Sequence, residues 1–408
     1  MNLFKNLKQA VFKNFSKREV EQKKPVIAYL ANFPPRKCGI ATFTKKILEN
    51  TQNKAGDFFD FEKIPILEQA EHKKILYPES NYSLIKDGKK SYLQCAKKIN
   101  NNKAIKMVCI QHEFGIFGGV YGRYILLFLN LLKKPVVITF HSVLPGPNYL
   151  LKYLVKGIAK QVSLIIVMNR ASRQILIKKY NIDPVKIKVI AHGVPKIINN
   201  ENKVSLKRNL NLDKRRILLT FGFLSPNKGI EYVIQSLPRV AREYPDLLYL
   251  IVGITHPNYK KARGEEYRNS LKKTIKRLKL KDNVKFINRF VAETQLIRYL
   301  KASDIYLATS IDQNQSVSGT FSYSLSVGRP IIATEFIQTQ ELKDKNIGFI
   351  IANKNPKAYE KAILKLFANK PEREAMGENA FKLSRNMTWE ITAQKYLNEF
   401  KKIIDRKS

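Results

Sequence analysis

The sequence predicts an α/β protein built from two doubly wound, Rossmann-like domains that face each other across a cleft. Three observations lead there. From Pro25 onward, short runs rich in Val, Ile and Leu alternate with longer helical patterns, which is the signature of parallel sheets covered by helices. The alternation runs through one full series, lapses into a polar stretch and then starts again. The 408 residues, 44% hydrophobic and 26% charged, suffice for two complete cores.

Taken in order, residues 1–24 come first, as a basic amphipathic segment. Phe4, Leu7, Val11 and Phe15 recur at helical spacing with Lys5, Lys8, Lys13 and Lys17 between them. Such a helix could lie on a membrane, dock on its own domain as a solvated tail, or act as a mitochondrial-type presequence. It has no continuous apolar core, so a secretory signal is not expected. The first α/β series, residues 25–200, places strands at "PVIAYLA", "FDFEKIPIL", "MVCIQHE", "PVVITFH", "LIIVMN" and "IKVIAHG", with helices such as Gly39 to Asn50 and Tyr149 to Lys160. The stretch "KIINNENKVSLKRNLNLDKR" has few apolar residues and reads as the interdomain connection. The second series, residues 201–385, offers strands at "RILLTFGFL", "DLLYLIVG", "NVKFINRF", "DIYLATS", "RPIIAT" and "IGFIIA". Helices are expected at Gly229 to Glu243, Lys261 to Lys279 and Glu293 to Ala302. Residues 386–408 form a periodic terminal helix around Trp389, Tyr396 and Phe400 that packs back across the domains.

Charge and cysteines bound the function. The 74 Lys and Arg against 33 Asp and Glu give a formal charge of +41, which favours an anionic partner: a membrane surface, nucleic acid or a phosphorylated ligand. Cys38, Cys95 and Cys109 are odd in number and widely spaced, which argues against a disulfide framework or a zinc cluster and for a reducing compartment. No apolar run reaches the roughly 18 residues of a membrane span. With no RRM, zinc finger or basic-aromatic platform, nucleic acid is not the expected partner.

In open α/β sheets ligands bind beyond the carboxyl ends of the strands. Six motifs stand there: "FPPRKCGIATFT", "QHEFGIFGGVYG", "TFHS", "AHGVP", "FGFLSPNKGI" and "QSVSGTFSYSLSVG". Alone, each has an ordinary meaning, a glycine being a turn and a histidine a satisfied loop residue. Six in order across two domains point instead to one ligand site. Ser318, Gly319 and Thr320 sit where "DIYLATS" turns into the helix "FSYSLSV", so free N–H groups and the positive end of the helix dipole would meet an anion. Lys228 would add a point charge, unless it is one more surface lysine of a basic protein. Glu113 is the only carboxylate in these motifs. It would orient an acceptor hydroxyl or take its proton, or else lie buried beside Arg36 or Arg123.

These motifs resemble those of the retaining glycosyltransferases of the GT-B fold, specifically the large family four that uses nucleotide-sugar donors. The similarity runs from Pro25 to the terminal helix. "GFLSPNKG" corresponds to the family's "G…KG" loop, with Gly222 in the turn and Lys228 at the cationic position. "QSVSGTFSYSLSVGRPIIAT" corresponds to its "E-G-F-G" loop, a second Glu and "G.P(I/V)(I/V)AT". The first family Glu falls on Gln315, the second on Tyr323, and the Arg accompanying the loop lysine falls on Phe223. The resemblance implies that Gln315 binds sugar hydroxyls and that the Tyr323 phenol meets a ribose edge; Arg289, after the strand "VKFIN", is a candidate replacement for the missing cation. The resemblance also implies that Gly39 begins a glycine loop beneath the phosphates and that His141 contacts the donor sugar. His112, Glu113, Phe114 and Gly115 would then line the acceptor side.

The resemblance implies metal-independent transfer of a hexose from a nucleoside-diphosphate sugar to a hydroxyl with retention of configuration. GDP-mannose and UDP-glucose are the donors considered, with mannose preferred from "QHEFGIFGG" and "QSVSGT". No cofactor or DxD-type metal site is expected. Catalysis would rest on His141, Glu113 and Lys228, and the acceptor would be a saccharide or lipid-linked hydroxyl. The protein would be cytoplasmic, at the inner face of a membrane if the basic surface binds one. Rival readings are an epimerase or phosphorylase of the same fold, a noncatalytic sugar-nucleotide binder, and a nucleic-acid-binding protein.

Overall fold

The computed structural model describes residues 24–70, 72–197, 201–340 and 343–406. The amphipathic helix expected at the N-terminus lies outside them. Two parallel sheets form the frame. The first holds seven strands in the order β3-β2-β1-β4-β5-β6-β7, with β1 Val26–Ala31, β2 Asp60–Leu67, β3 Leu84–Ile85, β4 Ile105–His112, β5 Val136–Phe140, β6 Leu164–Val167 and β7 Ile187–Val189. The second holds six in the order β10-β9-β8-β11-β12-β13: β8 Arg216–Phe221, β9 Leu247–Val252, β10 Val284–Ile287, β11 Ile305–Ala308, β12 Ile331–Thr334 and β13 Gly348–Ile351. In each sheet the order reverses beside the first strand. That crevice is where a doubly wound sheet takes ligands.

Burial explains why the strands read as continuous apolar runs. Ile217 and Leu219 of β8 face one hydrophobic cluster while Leu218 between them faces another, and Leu248 and Leu250 alternate with Tyr249 in the same way. The sequence expectations miss β3, whose two residues are too short to show any alternation. They also run one helix through Lys261 to Lys279. The chain there breaks at Gly264 (φ +59°) into Pro257–Arg263 and Glu266–Arg277. The polar stretch read as a plain connection contains a helix, Lys203–Asn209. It has a single buried apolar side chain, Leu206, and is held mainly by Asp304, which accepts from Lys203 Nζ (2.6 Å), Lys207 Nζ (2.9 Å) and the Ile217 amide (2.8 Å). Ionic anchoring leaves no hydrophobic period to detect.

The terminal helix Trp389–Asp405, capped by the Thr388 hydroxyl, lies against the helix Gly39–Ala55 of the first domain. Its Tyr396 phenol pairs with Thr139 Oγ1 of β5 (2.9 Å), and Phe400 meets Tyr29 of β1 edge-on. Just before it, Val194 and Thr388 form a parallel bridge, with Val194 N donating to Met387 O (2.8 Å) and Trp389 N to Val194 O (3.0 Å). One apolar cluster therefore runs from Tyr29 and Met107 of the first sheet through Trp389 and Tyr396 to Leu219 and Tyr306 of the second. No helix among the described residues is long and apolar enough to cross a membrane.

A close approach fixes this arrangement. A Cβ at Gly193 would stand 2.1 Å from Trp389 Cε3, so the indole lies on bare backbone. Gly193→Ala is expected to destabilise the protein by about 1–3 kcal/mol, the usual cost of overpacking. Fluorescence of the single tryptophan during thermal unfolding measures it.

Candidate active site

The loops after β8, β9 and β11 converge at the C-terminal ends of the second sheet. Gly222 follows β8 at φ +125°. Gly253 follows β9 at φ +139°, and a Cβ there would lie 2.0 Å from Gly222 O, so only glycine lets the two loops cross. Thr320 packs on Gly222, its Cγ2 lying 3.3 Å from where a Cβ would stand. Lys228 ends the short turn Pro226–Lys228 and lines a small cavity with Thr220, Gly222 and Phe223. Burial pushes its pKa down, Asp312 opposes this, and its ammonium has no hydrogen-bond partner among the described residues. A partly buried cation without a partner suits an anionic ligand.

The helix Gly319–Ser326 starts at the same end of the second sheet. Ser318 caps it, Oγ accepting from Phe321 N (3.2 Å), while the Ser318 amide itself donates to Gln338 Oε1 (2.7 Å). Of the three residues expected to offer amides, Ser318 is therefore already committed. The amides of Gly319 and Thr320 have no acceptor among the described residues and remain for an anion. Arg289 stands exposed after β10. Where the resemblance puts an Arg, Phe223 instead packs with His256 (5.5 Å) and with the half-exposed Phe290 (6.1 Å).

On the first domain, Gly39 opens the helix Gly39–Ala55, with Cys38 Sγ accepting from Ala41 N, and open space surrounds its α-carbon. His141 follows β5 and its Nε2 donates to Gln111 Oε1 (3.0 Å) in the tautomer that pairing requires. Burial and the neighbouring histidines push its pKa down to about 3, so the ring is neutral. Glu113 pairs with neither Arg36 nor Arg123: Arg36 bonds Glu68, and the Glu113 carboxylate accepts from Ser142 Oγ (2.5 Å) and Phe114 N (2.9 Å). Burial raises its pKa against those two hydrogen bonds, which suits a proton acceptor. Gly115 is exposed beside it, and Phe114 is half-buried, edge-on to Tyr121. His112 departs from the acceptor role. Its ring is fully buried among Phe114, Phe117 and Phe140 with both nitrogens unpartnered, because the last residue of β4 points into the sheet's covered face.

The two domains meet at the loop before the helix Gly319–Ser326. Ser316 Oγ accepts from Val143 N (2.7 Å), and Asn169 Nδ2 donates to Ser316 O (2.7 Å), so the loop after β5 is tied directly to the one after β11. Gln315 turns back on its own loop, Nε2 donating to Val317 O (3.1 Å). Tyr323 is not free for a ribose. Its phenol donates to Glu293 Oε2 (2.7 Å) and accepts from Trp389 Nε1 (3.3 Å), while Glu293 Oε1 binds Lys46 Nζ of the first domain (2.7 Å). A carboxylate thus does stand near the position of the family's second Glu, but a different helix supplies it.

His192 is a site residue that sequence reasoning left without a role. Its Nδ1 donates to Gly193 O (2.7 Å), which leaves the Nε2 lone pair outward, 3.1 Å from where a Gly319 Cβ would stand. Burial lowers its pKa to about 4. His141, His192 and Trp389 surround the Phe43 ring at 4.7, 5.1 and 5.3 Å. The signal available was "AHGVP" at a strand end. Only the fold reveals that it faces the helix cap.

Tyr323→Glu, which installs the family residue, sets a second carboxylate against Glu293; combining it with Glu293→Gln should recover about 0.5–3 kcal/mol of the lost stability in a double-mutant cycle. Burial depresses the His112 pKa from 6.5 to about 3, so on acidification the unfolded chain takes up a proton that the folded one refuses. Stability from this group is complete above pH 6.5 and falls as pH drops toward 3, by up to about 1.4 kcal/mol per pH unit. His112→Phe should give a shallower acid limb in denaturant titrations.

The described geometry matches known proteins in both halves. Residues 201–383 match the family model Glycosyl transferases group 1, and residues 80–196 match Glycosyltransferase Family 4. The spore coat protein SA of Bacillus subtilis is 27% identical over 202 residues, covering 48% of this chain and 52% of that one, so the chain spans about half the length of that relative. An uncharacterized glycosyltransferase of Haemophilus influenzae is 25% identical over 319 residues, 78% of this chain and 82% of its own. Among solved structures, Anabaena Alr3699/HepE in complex with UDP superposes with a TM-score of 0.72 at 15% identity, covering 93% of this chain and 100% of that one. The chain belongs to the GT-B glycosyltransferases of group 1, family four.

Proposed function

We propose that this protein transfers a hexose from a nucleoside-diphosphate sugar to a hydroxyl with retention of configuration and without a divalent ion. The observation that carries the reading is the pairing of an unpartnered, partly buried Lys228 ammonium with the two uncommitted amides of Gly319 and Thr320. Together they form an anion site at the strand ends, suited to a diphosphate. The UDP complex of the Anabaena relative supports a uridine donor such as UDP-glucose, whereas "QHEFGIFGG" supports GDP-mannose. The acceptor is a saccharide or a lipid-linked hydroxyl, and the protein works in the cytoplasm.

In this reading the bond from the anomeric carbon to the diphosphate breaks, and the acceptor oxygen bonds to that carbon on the same face. The acceptor's proton passes to the leaving phosphate oxygen or to Glu113. Lys228 and the helix amides stabilise the charge that develops on the diphosphate. Neutral His141 offers its free ring nitrogen to a donor-sugar hydroxyl, and His192 Nε2 accepts from another. Gly39 leaves room for the transferred sugar beneath the first domain. No enzymic nucleophile is required, and positioning does most of the work.

Lys228→Ala should lower kcat/KM by about 100-fold or more, the usual effect of removing one stabilising donor, with the melting temperature unchanged. Thermal-shift measurements with GDP, UDP and ADP precede transfer assays with the matching sugars. Indifference to all three nucleotides would defeat the donor reading.

A further inference from the structure

The helix Tyr149–Gln161 leaves an unusual face in water. Tyr149 is 88% exposed, Tyr153 66% and Leu150 42%. Tyr149 and Tyr153 stand one turn apart, on the same side as Lys152, Lys156 and Lys160, while Leu151, Leu154, Val155 and Ile158 are buried on the other. The patch continues beyond the helix. Asn148, which caps it, donates from Nδ2 to the Tyr121 phenol (2.9 Å), placing the neighbouring Val120, 55% exposed, at the helix entrance. Isolated exposed apolar residues need no explanation, but four gathered on one bonded corner do.

Charge identifies what covers this face. Between Glu113 and Asp183 the sequence has ten Lys and Arg and no Asp or Glu. A second copy of the chain would meet the same positive field and be repelled, which disfavours self-association. Aromatic rings and a leucine on a helix rimmed by lysines are the composition of an interfacial helix: the rings enter the headgroup layer while the lysine stems extend to anionic headgroups. We infer that the face formed by Tyr149, Leu150, Tyr153 and Val120, with Lys152 and Lys156, docks on an anionic lipid bilayer. The contact does not depend on the transfer reaction.

The test uses the full chain with vesicles of phosphatidylglycerol and phosphatidylcholine, and with phosphatidylcholine alone. Co-sedimentation is expected with the anionic vesicles only and should weaken as salt is raised. Tyr149→Ser with Tyr153→Ser should reduce the bound fraction about fivefold, and Lys152→Glu with Lys156→Glu at least as much. Both pairs are at the surface, and unchanged melting temperatures would show intact folding. Failure of the native chain to bind anionic vesicles, or equal binding by the tyrosine variant, would overturn the inference. So would an oligonucleotide that displaces the vesicles and loses affinity in the same variants, since it would make nucleic acid the occupant. The UDP and GDP thermal shifts are read in parallel. Loss of those shifts in the native chain with vesicle binding intact would count against the transferase reading alone.

Discussion

Most of the architecture around the site depends on one contact, the indole of Trp389 lying flat on the backbone of Gly193. It joins the last helix to the segment that leaves the first sheet. From that position the ring touches Phe43 and His192 and donates to Tyr323. Each partner belongs to a different part of the chain: the first helix, the end of the first sheet and the helix after β11. An apolar ring with one polar edge can satisfy all three, since its faces pack while its N–H finds a hydroxyl. Around it the two halves are also joined by the Ser316 loop, the Lys46–Glu293 pair, the Val194–Thr388 bridge and the packing of Tyr396 and Phe400 on the first sheet.

Around this anchor, the position where the resemblance implies a second Glu has its carboxylate supplied from another helix. Glu293 brings a carboxylate to the place where the resemblance implies a Glu at 323, and Lys46 neutralises it from the other domain. Tyr323 separates the acid from the indole and stays protonated, its pKa raised by burial and by Glu293. The diphosphate side of the proposed site is simpler. One cation and two amides face it, while Phe223 has exchanged a guanidinium for an aromatic contact with Phe290. A single lysine beside a helix terminus is a weaker clamp than a pair of cations, but much of its field comes from fixed dipoles that need no reorganisation.

The sequence made the frame readable because both sheets are buried on two faces and so produce unbroken apolar runs between helical patterns. Strand-end motifs located Gly222, Lys228, Gly319 and His141 for the same reason, since loops after parallel strands can only point one way. Elements held by charge were invisible. The helix Lys203–Asn209 hangs on Asp304, a residue roughly a hundred positions later, and periodicity carries no trace of that. His112 was misplaced because a histidine at a strand end can face the cleft or the covered side, and one residue of register decides which. Glu293 escaped because its partners Lys46 and Tyr323 are distant in sequence, and only packing brings them together.

The uncharged loop from Gln315 to Thr320 has a consequence for modularity. Ser316 is spoken for by Val143 and Asn169, Ser318 by Gln338, and the helix it opens carries Tyr323, which answers to Glu293 and Trp389. The segment is thus written in the vocabulary of its own scaffold. Transplanted alone into a relative, it would arrive with a buried hydroxyl, an amide and a phenol each lacking a counterpart. Inheritance of this loop must therefore be collective, with distant positions changing alongside it or the exchange failing.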